Sequence, residues 1–283
     1  MKPVWFFYYI GLEKLYKNKK VFLYWFNLTQ NFGDTINPIF IEHLSGKKVQ
    51  RVDPKRSPIE HIIAIGSVME HCSSKSVIWG SGFISATSEL TTFPNKVLAV
   101  RGPKSRQRLL EYGITCPEVY GDPILLLPKI YTPKTDKKYK YGFVPHFSDK
   151  NEPWLKSNIE DNENILIIDL QKDNVFEVID EIASCERIVS SSLHGIITAD
   201  AYEIPSVWIE FSDKVIGKGF KFLDYFESVG RKDTEAYRVE PTSTLEDIEA
   251  LFYDYSISID LDLLLEAAPF KVKKELLVSG KDE

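Results

Sequence analysis

At 283 residues the chain is long enough for two domains of ordinary size or one large one. Its composition, 43% hydrophobic and 27% charged with no low-complexity tract, is that of a globular protein. A net charge of −6 argues against a nucleic-acid binder, which carries a basic face.

Cys72, Cys116 and Cys185 show no CxxC spacing and no histidine at metal-ligand spacing. They read as free thiols in a reducing cytoplasm, with no metal site and no disulfide expected. The aromatic run Val4–Ile10 is too short to span a membrane and lacks a cleavage site. It reads as a segment docked on its own domain, or as a membrane-interface contact beside Lys14, Lys17, Lys19 and Lys20.

Val21–Phe26 is a continuous apolar run, the pattern of a strand buried on both faces. A loop reaches Asp34, and Asn37-Pro38 then supplies the cap and first-turn proline of a helix ended by Gly46. Asn31 and Asp34 fall at the strand's C-terminal end, where Asp34 reads equally as a functional carboxylate or a turn residue. Ile62–Ile65, Val77–Trp79 and Val97–Val100 are further buried strands, closed by Gly66-Ser67, Gly80-Ser81-Gly82 and Arg101-Gly102. Such polar, glycine-bearing endings suit a parallel sheet whose loops form the floor of a ligand site.

Arg101 ends its strand just before Pro103 opens a helix, and arginine suits bidentate recognition of carboxylate or phosphate. Lys104, Arg106 and Arg108 on that helix read as a solvated face. Asp122, in Gly121-Asp122-Pro123, is either the partner of Arg101 or a turn residue.

The polar stretch from Pro128 to Lys140 is the best boundary, dividing the chain into 1–132 and 140–283. Beyond it the alternation restarts. Tyr141–Val144 runs into Pro145-His146, Ile165–Ile168 is a strand, and Val175–Ala183 has helical spacing. Arg187–Val189 is followed by Ser190-Ser191-Ser192-Leu193-His194-Gly195 and a helix to about Tyr202. Another strand, Pro205–Ile209, comes next. His194 therefore stands where a strand ends and a helix begins, a place where unpaired N–H groups accept anions. The loop Asp213–Gly219 brings Lys214 and Lys218 between glycines, readable as a phosphate loop or as an ordinary one. A helix from Phe220 carries Lys221, and the last forty residues read as helices packed on the domains. The simplest architecture is α/β, with two Rossmann-like domains facing a cleft between their strand ends.

Asn-Phe-Gly-Asp at 31–34, Gly-Ser-Gly at 80–82, Arg101-Gly102-Pro103 with Ser105, Gly121-Asp122-Pro123 and Ser191-Ser192-Leu193-His194-Gly195 occur in an order that resembles the polysaccharide pyruvyl transferases, over roughly 31–226. The resemblance implies a glycosyltransferase-B-like fold. It also implies transfer of a pyruvyl group from phosphoenolpyruvate to hydroxyls of a polysaccharide or its lipid-linked precursor, forming a ketal in exopolysaccharide or capsule synthesis. Phosphoenolpyruvate is then a substrate and no cofactor is expected. The lack of a disulfide framework points to work in the cytoplasm, and the aromatic N-terminus makes an acceptor at the inner face of the membrane a reasonable expectation.

Arg101 and His194 carry over as the residues associated with the donor. Many members have arginine before Leu-His-Gly where this chain has Ser192, which leaves Lys218, Lys221 or helix N–H groups to supply positive charge. The expected catalytic set is His194, Arg101 and Asp34, with Asn31, Gly82, Ser191, Ser192, His146 and Lys218 binding substrate. His194 would act as the acid for the methylene carbon or as the base for the sugar hydroxyl.

Two other readings remain open at this point. A nucleotide-sugar glycosyltransferase of the same plan often has a Glu-x₇-Glu pair, and Glu203 and Glu210 are one residue too close for it. A non-catalytic glycan-binding protein would use the aromatic wealth of 14 tyrosines and 5 tryptophans.

Overall fold

The computed structural model describes residues 19–159 and 161–278, and the aromatic run near the N-terminus lies outside them. The first half builds a parallel sheet from β1 (Lys20–Tyr24), β2 (Lys48–Arg51), β3 (His61–Ile63), β4 (Ser76–Trp79) and β5 (Lys96–Ala99), in the order β2-β1-β3-β4-β5. β1, β3 and β4 are buried along almost their whole length, as their apolar runs require of interior parallel strands. β2, an edge strand of sequence Lys-Val-Gln-Arg, is only half covered, and nothing in its composition announces it.

The second half repeats the plan with β6 (Tyr139–Val144), β7 (Ile165–Ile167), β8 (Cys185–Ser190), β9 (Ser206–Glu210) and β10 (Tyr237–Arg238). Its order, β10-β9-β8-β6-β7, is the same topology read from the other edge, and every pairing is parallel. In both sheets the first strand has its successor on one side and the third strand on the other. Strand order therefore reverses at β1/β3 and at β6/β8, and open parallel sheets bind ligands beyond the carboxyl ends of such strands.

Helix α1 (Phe32–Ser45) begins five residues before the expected Asn37. The carbonyl of Asn31 accepts the N–H groups of Asp34 and Thr35, both at 3.0 Å, so the first turn closes there. Pro38 consequently lies inside the helix, where its missing N–H removes one rung. The side chain of Asn37 caps nothing and donates to Ile65 O at 3.3 Å. Gly46 ends the helix at φ 63, as expected.

Four further helices carry the site or its support: α2 (Pro103–Glu111), α4 (Val175–Ala183), α5 (Leu193–Ala201) and α6 (Phe220–Ser228), with the short α3 (Pro153–Asn158) between α2 and α4. The apolar run Ile124–Leu127 coils into a 3₁₀ segment, Pro123–Lys129, started by Asp122, whose Oδ1 accepts the Ile124 N–H at 3.0 Å. That settles Asp122 as a turn residue; the carboxylate partner of Arg101 is another.

A continuous buried cluster joins the halves, running from Phe32, Ile36 and Phe40 of α1 through Ile124–Leu127 to Val178 and Ile182 of α4 and Ile196 and Ile197 of α5. Near the C-terminus α7 (Leu245–Glu249) packs beside the second sheet through Ile248. Helix α8 (Leu261–Glu266) packs instead on the first half, where Leu264 O accepts the Trp79 Nε1–H at 2.9 Å. Phe270 sets its edge on the Trp79 ring at 5.7 Å, and the Lys273 N–H reaches Leu44 O at 2.8 Å. Among the described residues no helix is long and apolar enough to cross a membrane. Cys72, Cys116 and Cys185 are buried free thiols.

Candidate active site

A cavity of about 450 Å³ lies where the two reversal points face each other. The loop after β1 gives it Phe26, Thr29, Asn31 and Asp34, and the loop after β3 gives Gly66, Ser67, Glu70 and His71. From the second half come His146, Phe147 and Ser148 after β6, Ser192, Leu193 and His194 after β8, and Lys214, Ile216 and Lys221 further on. The volume is that of an ordinary small-ligand pocket.

Two helices open into this space. Asn31 precedes α1 and Ser192 precedes α5, and neither side chain caps its own helix. The first intrahelical bonds run from Asp34 and Thr35 to Asn31 O and from Gly195 and Ile196 to Ser192 O. The N–H groups of Phe32, Gly33, Leu193 and His194 stand ahead of those ladders. Both positive dipole ends therefore favour an anion here.

His194 projects from the first turn of α5 onto α1. Its ring lies so close to Gly33 that a Cβ there would collide with Cε1 and Nε2, so glycine is what lets the halves meet at this point. Nε2 is buried without a hydrogen-bond partner among the described residues. Burial, reinforced by the nearby charges of Lys221 and Arg101, pushes the imidazole down to about 3, which makes it neutral near pH 7. His146 is likewise pushed down to about 4, by burial and by Lys221. The Ser148 N–H points at its Nδ1 at 3.3 Å and Ser148 Oγ lies 2.7 Å from the same atom, which places the proton of the neutral ring on Nε2.

The carboxyls shift the other way. Burial raises Asp34 to about 7, although its Oδ1 accepts the Phe26 N–H at 3.1 Å. Glu70 is also raised by burial, and its Oε2 has no partner among the described residues. Glu70 escapes a reading of the sequence, because its surroundings, Val-Met-Glu-His in a 3₁₀ turn, carry no motif.

Arg101 does not reach the cavity surface; its side chain is 0% exposed. Nε and Nη2 hold Asp224 Oδ2 of α6 at 3.0 and 2.9 Å, Nη1 donates to Ser67 Oγ at 2.5 Å, and Nη2 donates to Phe83 O at 2.7 Å. Asp224 also accepts the Ser105 N–H at 2.8 Å and the Ser105 hydroxyl at 2.7 Å. Gly82 lies beneath the guanidinium, where a Cβ would stand 2.6 Å from Cζ.

Asn31, Asp34, His146, Ser192 and His194 thus meet at the cavity as expected, whereas Arg101 and Gly82 lie beneath its floor. Ser191 is one layer back, where its hydroxyl accepts the His146 N–H at 2.9 Å. Lys218 lies elsewhere. At φ 46, between two glycines of positive φ, its backbone turns it into a separate surface depression with Lys104 and Arg108. The lysine that does line the cavity is Lys221, on α6.

The family model for polysaccharide pyruvyl transferases matches residues 12–213, and the chain belongs to that family. It is 28% identical over 265 residues to an uncharacterised protein of Acanthamoeba polyphaga mimivirus, which covers 92% of this chain and 90% of that one. It is 28% identical over 216 residues to the succinoglycan biosynthesis protein ExoV of Rhizobium meliloti, covering 73% of this chain and 64% of that protein. A solved structure of a functionally uncharacterised protein from Klebsiella pneumoniae aligns over 82% of this chain and 98% of that one, at 15% identity and a TM-score of 0.45. Family membership supports a transferase role, pyruvyl transfer in polysaccharide synthesis. Helix α6 lies beyond the matched segment.

Proposed function

We propose that the chain transfers the pyruvyl group of phosphoenolpyruvate to two hydroxyls of a sugar in a polysaccharide or its lipid-linked precursor, forming a cyclic ketal. The observation that carries this reading is a pair of opposed titrating groups in one anion-seeking cavity. His194 is held neutral, Asp34 holds its proton up to about pH 7, and two helix N-termini open beside them. Pushing pKa values apart in this way separates a base from an acid.

The donor's phosphate and carboxylate lie against the starts of α1 and α5. Asp34 gives its proton to the methylene carbon, and His194 takes the proton of the attacking hydroxyl as its oxygen bonds to C2. The donor's negative charge favours the imidazolium that forms. The second hydroxyl then displaces phosphate from C2: the C2–O bond breaks with its electron pair on phosphate, which takes the proton held by His194 and leaves as hydrogen phosphate, while the proton of the second hydroxyl returns to Asp34. Asn31, Ser192 and His146 orient the substrates, Ser191 holds His146, and Gly82 leaves room for Arg101. We read the halves as two Rossmann-like domains, 1–132 and 140–283, in a glycosyltransferase-B-like arrangement. The work is assigned to the cytoplasm, with the acceptor met at the inner face of the membrane.

Phosphate release from phosphoenolpyruvate across a panel of glycosides tests the reading. The wild type is expected to release phosphate with at least one acceptor, and His194→Ala and Asp34→Asn to lose that release. Full turnover by His194→Ala overturns the assignment, and so does a response to nucleotide sugars with none to phosphoenolpyruvate.

A further inference from the structure

We infer that Lys221 is the cation that binds the donor's phosphate, and that Arg101 acts on it at one remove by fixing Asp224 one helical turn further along α6. The identity of the donor rests on the proposed function; the phosphate site does not.

Lys221 is 9% exposed and lines the cavity, yet its ammonium has no hydrogen bond or ion pair among the described residues. The Phe222 ring lies beside it, 5.6 Å from Nζ. Glu210 favours the ammonium without forming an ion pair with it, and burial and Arg101 still hold the group down to about 8. A buried ammonium with no paired carboxylate is unfavourable, and natural interiors pair such charges. The other lysine of the cavity, Lys214, is already paired with Glu152 at 2.8 Å. Asp224, three residues on and therefore on the same face of α6, is the obvious partner for Lys221. Its oxygens are instead taken by Arg101 and Ser105 of the first half, at 2.7 to 3.0 Å. The fold thus gives α6 a carboxylate anchor and leaves Lys221 facing a space into which two helix N-termini also open. A phosphate monoester dianion completes that set: an ammonium and backbone N–H groups as donors, with no carboxylate paired to the ammonium.

The same contacts define the part played by Arg101. With no exposed surface it touches no ligand. It is a positioning residue that holds the phase of α6, and with it the aim of Lys221.

The test is inorganic phosphate binding by titration calorimetry, with melting temperatures measured in parallel. Lys221→Met is expected to weaken phosphate about 10- to 100-fold, the range for a lost hydrogen bond to a charged group. It is also expected to raise the melting temperature, because it removes an unpaired buried charge. Lys221→Arg should keep most of the affinity, and Lys218→Met all of it. Asp224→Asn should weaken phosphate in the wild-type background but add nothing to Lys221→Met, since it acts through that lysine. Wild-type affinity in Lys221→Met overturns the inference, as does loss of affinity together with a lower melting temperature. Additive losses in the double variant overturn the role of Arg101 and Asp224. Phosphate binding through Lys221 without phosphate release from phosphoenolpyruvate would sink the proposed function and leave the site standing.

Discussion

Gly33 and His194, from opposite halves of the chain, are packed so closely that no side chain fits between them. Gly33 is a helical residue of α1 with no positive φ, so alanine fits its backbone. Alanine also improves helix propensity by about 1 kcal/mol. The three atoms nearest an added Cβ in Gly33→Ala all belong to the His194 imidazole, so the ring must move. A displacement of about 1 Å lowers turnover roughly 100-fold in a positioned site. Gly33→Ala is therefore expected to lose phosphate release by about that factor and keep its melting temperature within a few degrees. Unchanged turnover would show that His194 does not work where it is placed.

The pH response of Asp34 has a definite sign. Its carboxyl is raised from an ordinary 3.8 to about 7, so between those values the folded chain keeps a proton that the unfolded chain has lost. Stability therefore declines as pH rises through that window, and the penalty is complete above it. Asp34→Asn removes this titration, and its amide oxygen still accepts the Phe26 N–H. Relative to wild type, the variant should melt at a similar temperature at pH 4 and at a higher one at pH 8. His194 and His146, whose lowered values oppose Asp34 over part of the range, are present in both proteins and cancel in the difference. An equal gain at both pH values would contradict the raised carboxyl.

His194, Asn31 and Asp34 were legible in the sequence because buried parallel strands read as unbroken apolar runs, and the residues just after such a run lie at the sheet's carboxyl edge. β2 and β10 were not legible, since short edge strands need few apolar residues. The start of α1 was misread because Asn37-Pro38 mimics a cap, while the amide of Asn37 is engaged with Ile65. Lys218 stands between two glycines, a pattern that suits a phosphate loop, yet it lies in a separate surface depression. What selects Lys221 is the rotational phase of α6, fixed by a contact between Arg101 and Asp224 across 123 residues of chain. No local pattern encodes a contact at that separation.

That contact is also a stability element. Arg101 and Asp224 are both 0% exposed, and removing one member of a buried pair leaves the other charged and desolvated. Arg101→Met is expected to destabilise by about 3–5 kcal/mol. Arg101→Met combined with Asp224→Leu should lose less than Arg101→Met alone, because no orphaned charge remains. Urea denaturation of the single and double variants measures this coupling, and strictly additive losses would mean that the pair is not coupled.

The return of the C-terminal segment to the first half predicts that the halves unfold as one unit. Leu264 is fully buried, and a Cβ at Gly121 would stand 2.9 Å from its Cδ2; its carbonyl holds the Trp79 indole N–H. Leu264→Ala leaves that carbonyl in place but opens a cavity beside Gly121, which should lower stability by about 2–5 kcal/mol. None of Leu264, Trp79 and Gly121 lines the active-site cavity, so phosphate affinity should stay at the wild-type value. Helix α8 comes after the second sheet in the chain yet packs on the first, so weakening it should shift a single thermal transition downward for both halves. Tryptophan fluorescence reports on Trp5, Trp25 and Trp79 in the first half and Trp154 and Trp208 in the second; single-tryptophan variants that keep only Trp79, Trp154 or Trp208 separate their signals. Two resolved transitions, with only Trp79 moving early, would show that the segment serves the first half alone.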